Sequence, residues 1–561
     1  MDKSKLNPIK RFWLLLKPDK LEIRNIYVYA IFIGLLNLTL PIGIQAIINL
    51  IQGGAVSTSW LILILLVACG IALSGIMQIN QLRITENLQQ KIFTRAAFEF
   101  AYRIPRIKLE KLFKKYAPEL MNRFFDVVSV QKGITKLLID FSTAGIQVLF
   151  GLVLLSFYHP FFIVFSLLLV LMIVFIFKMT MKRGLETSLE ESKHKYVIAH
   201  WLEEMARANT TFKLSGESRL PLDRVNLHST SYIGAREKHF RILKWQYSLM
   251  IVFKVLVAVG LLLIGGLLVI DQQMNIGQFV AAEIVILMIV SSVEKLIMSF
   301  ETVYDVLTSL EKLGQVTDLE LEKDGGVEPI WAADGMELEI NNLFFHYPEE
   351  KKTVIRNLSL HVRSKERLLI TGKNDGGKST LLYLASGLLA PADGTILIDG
   401  IPLKNFNYDK LHSQIGGYLR DEHLFEGTLL ENITLGRDRA TFENVQWAIE
   451  KLNLSDLVKF LPEGFDMPIS PQGKQFSKST RAKILLARAI VDKPRLLLLE
   501  NSFSVFSEED QKSILDFLLD KQHDWTVLLT SSRPLSDYSM IDREIMLEEG
   551  QIINEKNHPN A

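Results

Sequence analysis

The sharpest chemistry in this chain lies in one short run, Gly372-Lys373-Asn374-Asp375-Gly376-Gly377-Lys378-Ser379-Thr380. It follows an apolar stretch of strand character, Arg367-Leu368-Leu369-Ile370, and precedes an apolar helix start, Leu381-Leu382-Tyr383-Leu384. This is the pattern G-x-x-x-x-G-K-[ST] in the strand–loop–helix setting it requires. Glycines let successive backbone N–H groups turn toward one point and cradle phosphate oxygens. The positive end of the following helix adds to the attraction. Lys378 offers a point charge to β- and γ-phosphates, and the Ser379 hydroxyl suits Mg²⁺. Gly372 to Thr380 are therefore the candidate phosphate-binding residues. A second apolar strand, Leu496-Leu497-Leu498-Leu499, ends in Glu500-Asn501.

These motifs need a soluble α/β domain around them, and residues 336–561 read as one. Leu338-Glu339-Ile340, Leu343-Phe344-Phe345 and Leu358-Ser359-Leu360-His361-Val362 predict strands ahead of the phosphate loop. Residues 311–335, with Gly325-Gly326 and Pro329, read as a linker.

Residues 1–310 are different in kind. The whole chain is 561 residues long and 48% apolar, and the long apolar runs fall in its first 300 residues or so. A bilayer core of about 30 Å needs about 20 apolar residues in a helix. Six segments meet that length, near 25–51, 59–81, 137–157, 161–180, 246–270 and 276–298. Three links between them are short and carry no Lys or Arg. The other two, residues 83–136 and 181–244, carry twelve Lys or Arg each. The positive-inside rule puts both long links and both termini in the cytoplasm. Both are expected to extend the membrane helices as helices. Phe113, Tyr116, Leu120 and Phe124 show the period, with a break or kink possible at Pro118.

Lys254 and Glu283 lie deep in apolar runs, where charge is costly and usually faces a cavity or a partner. The two can pair across helices five and six or touch a substrate; Lys254 can instead snorkel to the cytoplasmic surface. One cysteine, Cys69, allows no internal disulfide and fits a reducing compartment for the soluble part. The N-terminus shows no cleavable signal peptide. A net charge of +1 gives no reason to expect a nucleic-acid partner.

Six spans followed by this nucleotide domain resemble the ATP-binding-cassette exporters, in particular the half-transporters of type I secretion and multidrug export. The likeness includes Glu119-Leu120-Met121-Asn122-Arg123 in the first long link. It implies an α-helical membrane domain with cytoplasmic extensions, then an α/β P-loop domain. It implies ATP and Mg²⁺ as ligands, and a homodimer or a heterodimer with a second half-transporter. It implies a bacterial inner-membrane location, with the nucleotide domain cytoplasmic and the transported substrate left open.

The family's motifs map onto this chain unevenly. Tyr347 holds the place of an aromatic that stacks on adenine. Asp375 replaces the middle glycine of the phosphate loop; Asp tolerates such backbone angles, although its charge can repel a triphosphate. Arg420 stands where a glutamine contacts Mg²⁺; an arginine cannot ligate a metal, although it can contact a phosphate. The signature loop reads Phe476-Ser477-Lys478-Ser479-Thr480, so Ser477 survives and both glycines are lost. Glu500 takes the place of the aspartate that holds the Mg²⁺ shell. Asn501 stands at the general-base position and cannot accept a proton. Ser532 stands at the switch-histidine position. The expectation is an exporter subunit that binds ATP through a site with weak or absent turnover. The alternative is a membrane protein for which ATP is only a structural or regulatory ligand.

Overall fold

The computed structural model describes residues 7–53, 58–113, 117–331, 334–348, 350, 352–500, 503–531 and 539–558. The chain divides into two compact units. One comprises residues 1–105 and 115–319, the other residues 106–114 and 320–561.

The first unit is helical. It contains α1 (Pro8–Leu16), α2 (Lys20–Asn37), α3 (Thr39–Gln52), α4 (Thr58–Arg103), α5 (Ala117–Met121), α6 (Asp126–Tyr158), α7 (Phe161–Arg207), α8 (Asn209–Leu214), α9 (Leu220–Ile270) and α10 (Ile276–Thr317). Among the described residues six helical stretches are long and apolar enough to cross a membrane, as the apolar runs predict. The first has a break at Leu38 between α2 and α3. Helix α10 runs to Thr317, so the stretch read as a linker begins as helix.

The long links are helical for most of their length, because α4, α6, α7, α9 and α10 continue well past the apolar runs. One expectation needs correction. Residues 104–113 and 117–125 are not a continuous extension but short turns and the short helix α5; Tyr116 lies outside the described residues. Pro105 and Pro118 both disfavour continuation of a helix from upstream. Pro118 lies in the first turn of α5, where a missing N–H costs nothing. Phe113 therefore sits in a turn that belongs to the second unit, away from the helical row proposed for it.

Small residues let the helices approach closely. A Cβ on Gly184 of α7 would lie 2.2 Å from the Tyr304 ring of α10. Beside it, the buried Gln246 amide donates to the Tyr304 hydroxyl at 2.7 Å and to Thr180 Oγ1 at 2.8 Å. This knot ties α7, α9 and α10 together with its polar groups satisfied, as apolar surroundings demand. Lys254 does pair across α9 and α10, but with Glu294 at 2.5 Å rather than with Glu283. Glu283 is half-buried and has no ion-pair partner among the described residues.

The second unit is α/β. Its strands and helices are β1 (Leu338–His346), β2 (Thr353–Val362), β3 (Arg367–Thr371), α11 (Lys378–Ala385), β4 (Asp393–Ile398), β5 (Ile401–Pro402), α12 (Tyr408–His412), β6 (Ile415–Tyr418), β7 (Gly427–Thr428), α13 (Leu429–Thr434), α14 (Phe442–Lys451), α15 (Ser455–Phe460), β8 (Pro468–Ile469), α16 (Lys478–Ile490), β9 (Leu496–Leu499), α17 (Glu508–Leu519), β10 (Thr526–Thr530), β11 (Arg543–Glu548) and β12 (Gln551–Asn557). The main sheet has the order β12-β11-β3-β10-β9-β6, with parallel pairing from β11 to β6. Strands β3, β9 and β10 are buried along nearly their whole length, which explains their unbroken apolar runs. Strands β2, β1, β4 and β5 form a second, antiparallel sheet.

Candidate functional site

Strands β3 and β9 are separated by β10 in the parallel sheet, and both end at one edge. In open parallel sheets the ligand crevice lies beyond the carboxyl ends of the strands. Residues following β3 and β9 line a cleft of ≈ 910 Å³ there, among them Asn374, Lys378, Ser379, Thr380 and Glu500.

The loop after β3 has the backbone its residue types allow. Gly372 adopts φ 138°, and a Cβ there would lie 2.0 Å from the carbonyl oxygen of Leu547. Only glycine fits that approach of β3 to β11. Asp375 adopts φ 62°, the left-handed region that Asp tolerates, so the loop forms without the middle glycine. Gly377 at φ 97° then turns the chain into α11, whose first residues are Lys378, Ser379 and Thr380.

The Lys378 ammonium is buried and donates to the carbonyl oxygens of Gly372 and Lys373, each at 2.7 Å. Burial pulls its pKa below the ordinary lysine value, and the nearby Asp375 carboxylate opposes that shift. Lys373 points elsewhere, pairing with Glu548 at 2.8 Å. Ser379 Oγ donates to Glu500 Oε1 at 2.5 Å, and Glu500 Oε2 accepts the Arg420 backbone N–H at 2.8 Å. Ser379 and Glu500 thus place two hard oxygens side by side at one corner of the cleft. That donor set suits Mg²⁺, which keeps several waters and takes one or two protein oxygens. Arg420 also lines the cleft.

Tyr347 follows β1 and borders the cleft. Its hydroxyl shares a hydrogen bond with Thr380 Oγ1 at 3.0 Å. Phe345 and Phe113 meet its ring edge-to-face, with centroids 5.1 and 4.9 Å away. The Phe113 contact comes from the turn after α4 and was not foreseen. Lys352 and Arg356 were also missed as cleft residues. Their signal was weak, since basic residues on a strand edge are common.

Two family models match this arrangement in order along the chain. The ABC transporter transmembrane region matches residues 23–293, and the ABC transporter model matches residues 355–504. This chain belongs to the ABC transporter family.

A solved bacterial Atm1-family ABC exporter with ATP bound shares the fold of this ABC transporter. The TM-score is 0.85 at 19% identity, over 96% of this chain and 95% of that one. An ATP-dependent lipid A-core flippase of Burkholderia orbicola (strain AU 1054) is 30% identical over 290 residues, 51% of this chain and 48% of that protein. The leukotoxin translocation ATP-binding protein LktB of Mannheimia glucosida is 28% identical over 313 residues, 56% of this chain and 44% of that protein. The chain spans about half the length of the curated relatives it matches.

The remaining ABC motifs lie apart from the cleft or outside the described residues. Ser477 caps α16, its hydroxyl accepting the Thr480 N–H at 3.0 Å. Lys478, Ser479 and Thr480 form the first turn of that helix, whose N-terminus carries side chains where the family motif has glycines. Asn501 and Ser532 lie outside the described residues.

Behind Arg420, burial pushes the Glu422 carboxyl up to about 7, against the Leu419 N–H bond and the charges of Arg488 and Arg437. An unfolded chain releases this proton near the ordinary value of 4.5. Between those pH values the folded state binds more protons, so stability falls as pH rises through the window. We expect Glu422→Gln to remove that slope and to add on the order of 2 kcal/mol of stability at pH 8. Thermal unfolding at pH 5 and pH 8 checks it: the variant should gain several degrees at pH 8 and little at pH 5.

Proposed function

We propose that this chain is one subunit of an ABC exporter that binds ATP and moves a substrate across the bacterial inner membrane. It works as a dimer with a second half-transporter, either a copy of itself or a different chain. Both termini and the nucleotide unit face the cytoplasm. Its own site turns over ATP weakly or not at all.

One observation carries the reading. The cleft holds a formed phosphate loop with Ser379 against Glu500, while the residue beside that pair is Arg420 rather than a metal-ligating amide. Binding groups are in place, so nucleotide affinity is supported. The groups that drive hydrolysis in the family are replaced. Asn501 has no basic site with which to take a proton from water, and loss of a general base costs about 10²–10⁴ in rate. Ser532 likewise offers no imidazole.

The test is hydrolysis by the purified full chain, alone and with any co-purifying half-transporter. We expect the chain alone to turn over at about 0.1 s⁻¹ or less, against a median near 10 s⁻¹ for enzymes. Asn501→Glu alone should raise that rate less than about tenfold, because Arg420 and Ser532 remain. Brisk Mg²⁺-dependent turnover by the unmodified chain would sink the weak-site reading. ATP that stabilises the protein, with no transport or turnover in any pairing, would favour nucleotide as a structural ligand instead.

A further inference from the structure

The corner of the cleft beside Ser379 and Glu500 includes a cation, Arg420, among lining residues of both charge signs. Arg420 is anchored there through its backbone N–H to Glu500 Oε2 at 2.8 Å. The residue is exposed and lines the cleft. Among the described residues its guanidinium has no carboxylate partner, and the neighbouring acids are committed elsewhere. The Asp421 carboxylate accepts the Tyr383 hydroxyl at 3.1 Å. Glu422 accepts the Leu419 N–H at 3.2 Å and lies 3.8 Å from Arg488. Glu500 spends one oxygen on Ser379 and the other on the Arg420 main chain.

A guanidinium is always charged and carries five donors in a planar fork, a shape suited to phosphate oxygens. It accepts no metal. Lys378, the other fixed cation of this corner, has a buried ammonium at the same loop. Both line the cleft that the phosphates of a nucleotide would fill, as do the carboxylates Asp375 and Glu500. Mg²⁺ supplies two positive charges to a triphosphate in the usual arrangement. Here one of the cations that would share that work is part of the protein.

We propose that Arg420 binds the terminal phosphates directly, so that this site retains ATP whether or not a divalent cation is bound. The inference rests on the ATP-binding reading above. Ser379 and Glu500 still suit a metal, but the affinity for nucleotide does not depend on it. Arg420 is thus a specificity-determining residue for the form of nucleotide held: free ATP as well as its magnesium complex.

The experiment measures ATP affinity of the full chain in nanodiscs, by equilibrium binding of labelled ATP, in excess Mg²⁺ and in EDTA. For the unmodified chain the dissociation constant should differ between the two conditions by less than about fivefold. In Arg420→Gln, which restores a neutral metal-ligating amide, EDTA should weaken binding by about tenfold or more. Arg420→Lys keeps a charge and should stay closer to the unmodified chain. A loss of about fivefold or more on EDTA in the unmodified chain would overturn the proposal. So would an Arg420→Gln variant as indifferent to EDTA as its parent. Absence of ATP binding in both conditions would overturn the nucleotide reading itself, a result distinct from a metal-dependent site.

Discussion

Replacing Lys378 with alanine should lower ATP affinity by about 100-fold or more, since it deletes a charged donor to two phosphates at about 1.5–3 kcal/mol per hydrogen bond. The fold should survive the change. Among the described residues the Lys378 ammonium bonds to the Gly372 and Lys373 carbonyl oxygens of its own loop, and neither of those residues is buried. The nucleotide-free unfolding midpoint should therefore move little. The difference appears on adding ATP. A protein held at a ligand concentration 100 times its dissociation constant gains about 2.7 kcal/mol of stability by mass action. The unmodified chain should show that upward shift, and Lys378→Ala should show almost none at the same ATP concentration. Equal shifts in the two proteins would mean that nucleotide, if bound, is not held by this loop.

The parts of this molecule that could be read from its residues are those where one physical demand dominates. A bilayer requires about 20 apolar residues per crossing, so six crossings stand out in composition alone. A phosphate loop requires glycines and a lysine at fixed spacing, so its loop–helix geometry follows from Gly372, Gly377 and Lys378. The tolerance of Asp for a left-handed backbone was enough to expect a formed loop despite Asp375, and its φ of 62° agrees.

What could not be read depends on neighbours distant in the chain. Apolar runs alone leave Lys254 free to pair with Glu283, to touch a substrate or to snorkel, and the residue it pairs with on α10 is Glu294. Linear position in two helices does not specify their relative rotation. Phe113 fitted a helical period with Tyr116 and Leu120, but the prolines on either side break that helix. Phe113 instead packs on Tyr347, more than 200 residues away. Arg420 was recognised as unable to ligate metal. Only the structure shows that its guanidinium has no carboxylate partner among the described residues, with Asp421, Glu422 and Glu500 bonded to other groups.

Arg367 is the sharpest example, because a charged residue at the head of β3 looks like an exposed strand end. It is fully buried. Its guanidinium donates to five carbonyl oxygens: Lys365, Leu519, Asp520, His523 and Trp525, at 2.5 to 3.2 Å. Three of these lie between α17 and β10, and Leu519 is the last residue of α17. The side chain therefore clamps the start of β3, the strand that feeds the phosphate loop, to the chain entering its neighbour β10. Arg367→Ala leaves those carbonyls without donors inside an apolar setting, at about 1–3 kcal/mol for each one that water does not reach. With partial relaxation we expect a loss of about 3–5 kcal/mol, a large share of the stability of a typical domain. Arg367→Lys should recover only part of it, because one ammonium has three donors and cannot span five acceptors. Chemical denaturation of the purified chain, followed through the tryptophans of the nucleotide unit, measures the effect. Arg367→Met is the sharper control. It fills much of the volume and supplies no donor, so stability close to the parent would show that the clamp acts by packing rather than by its hydrogen bonds.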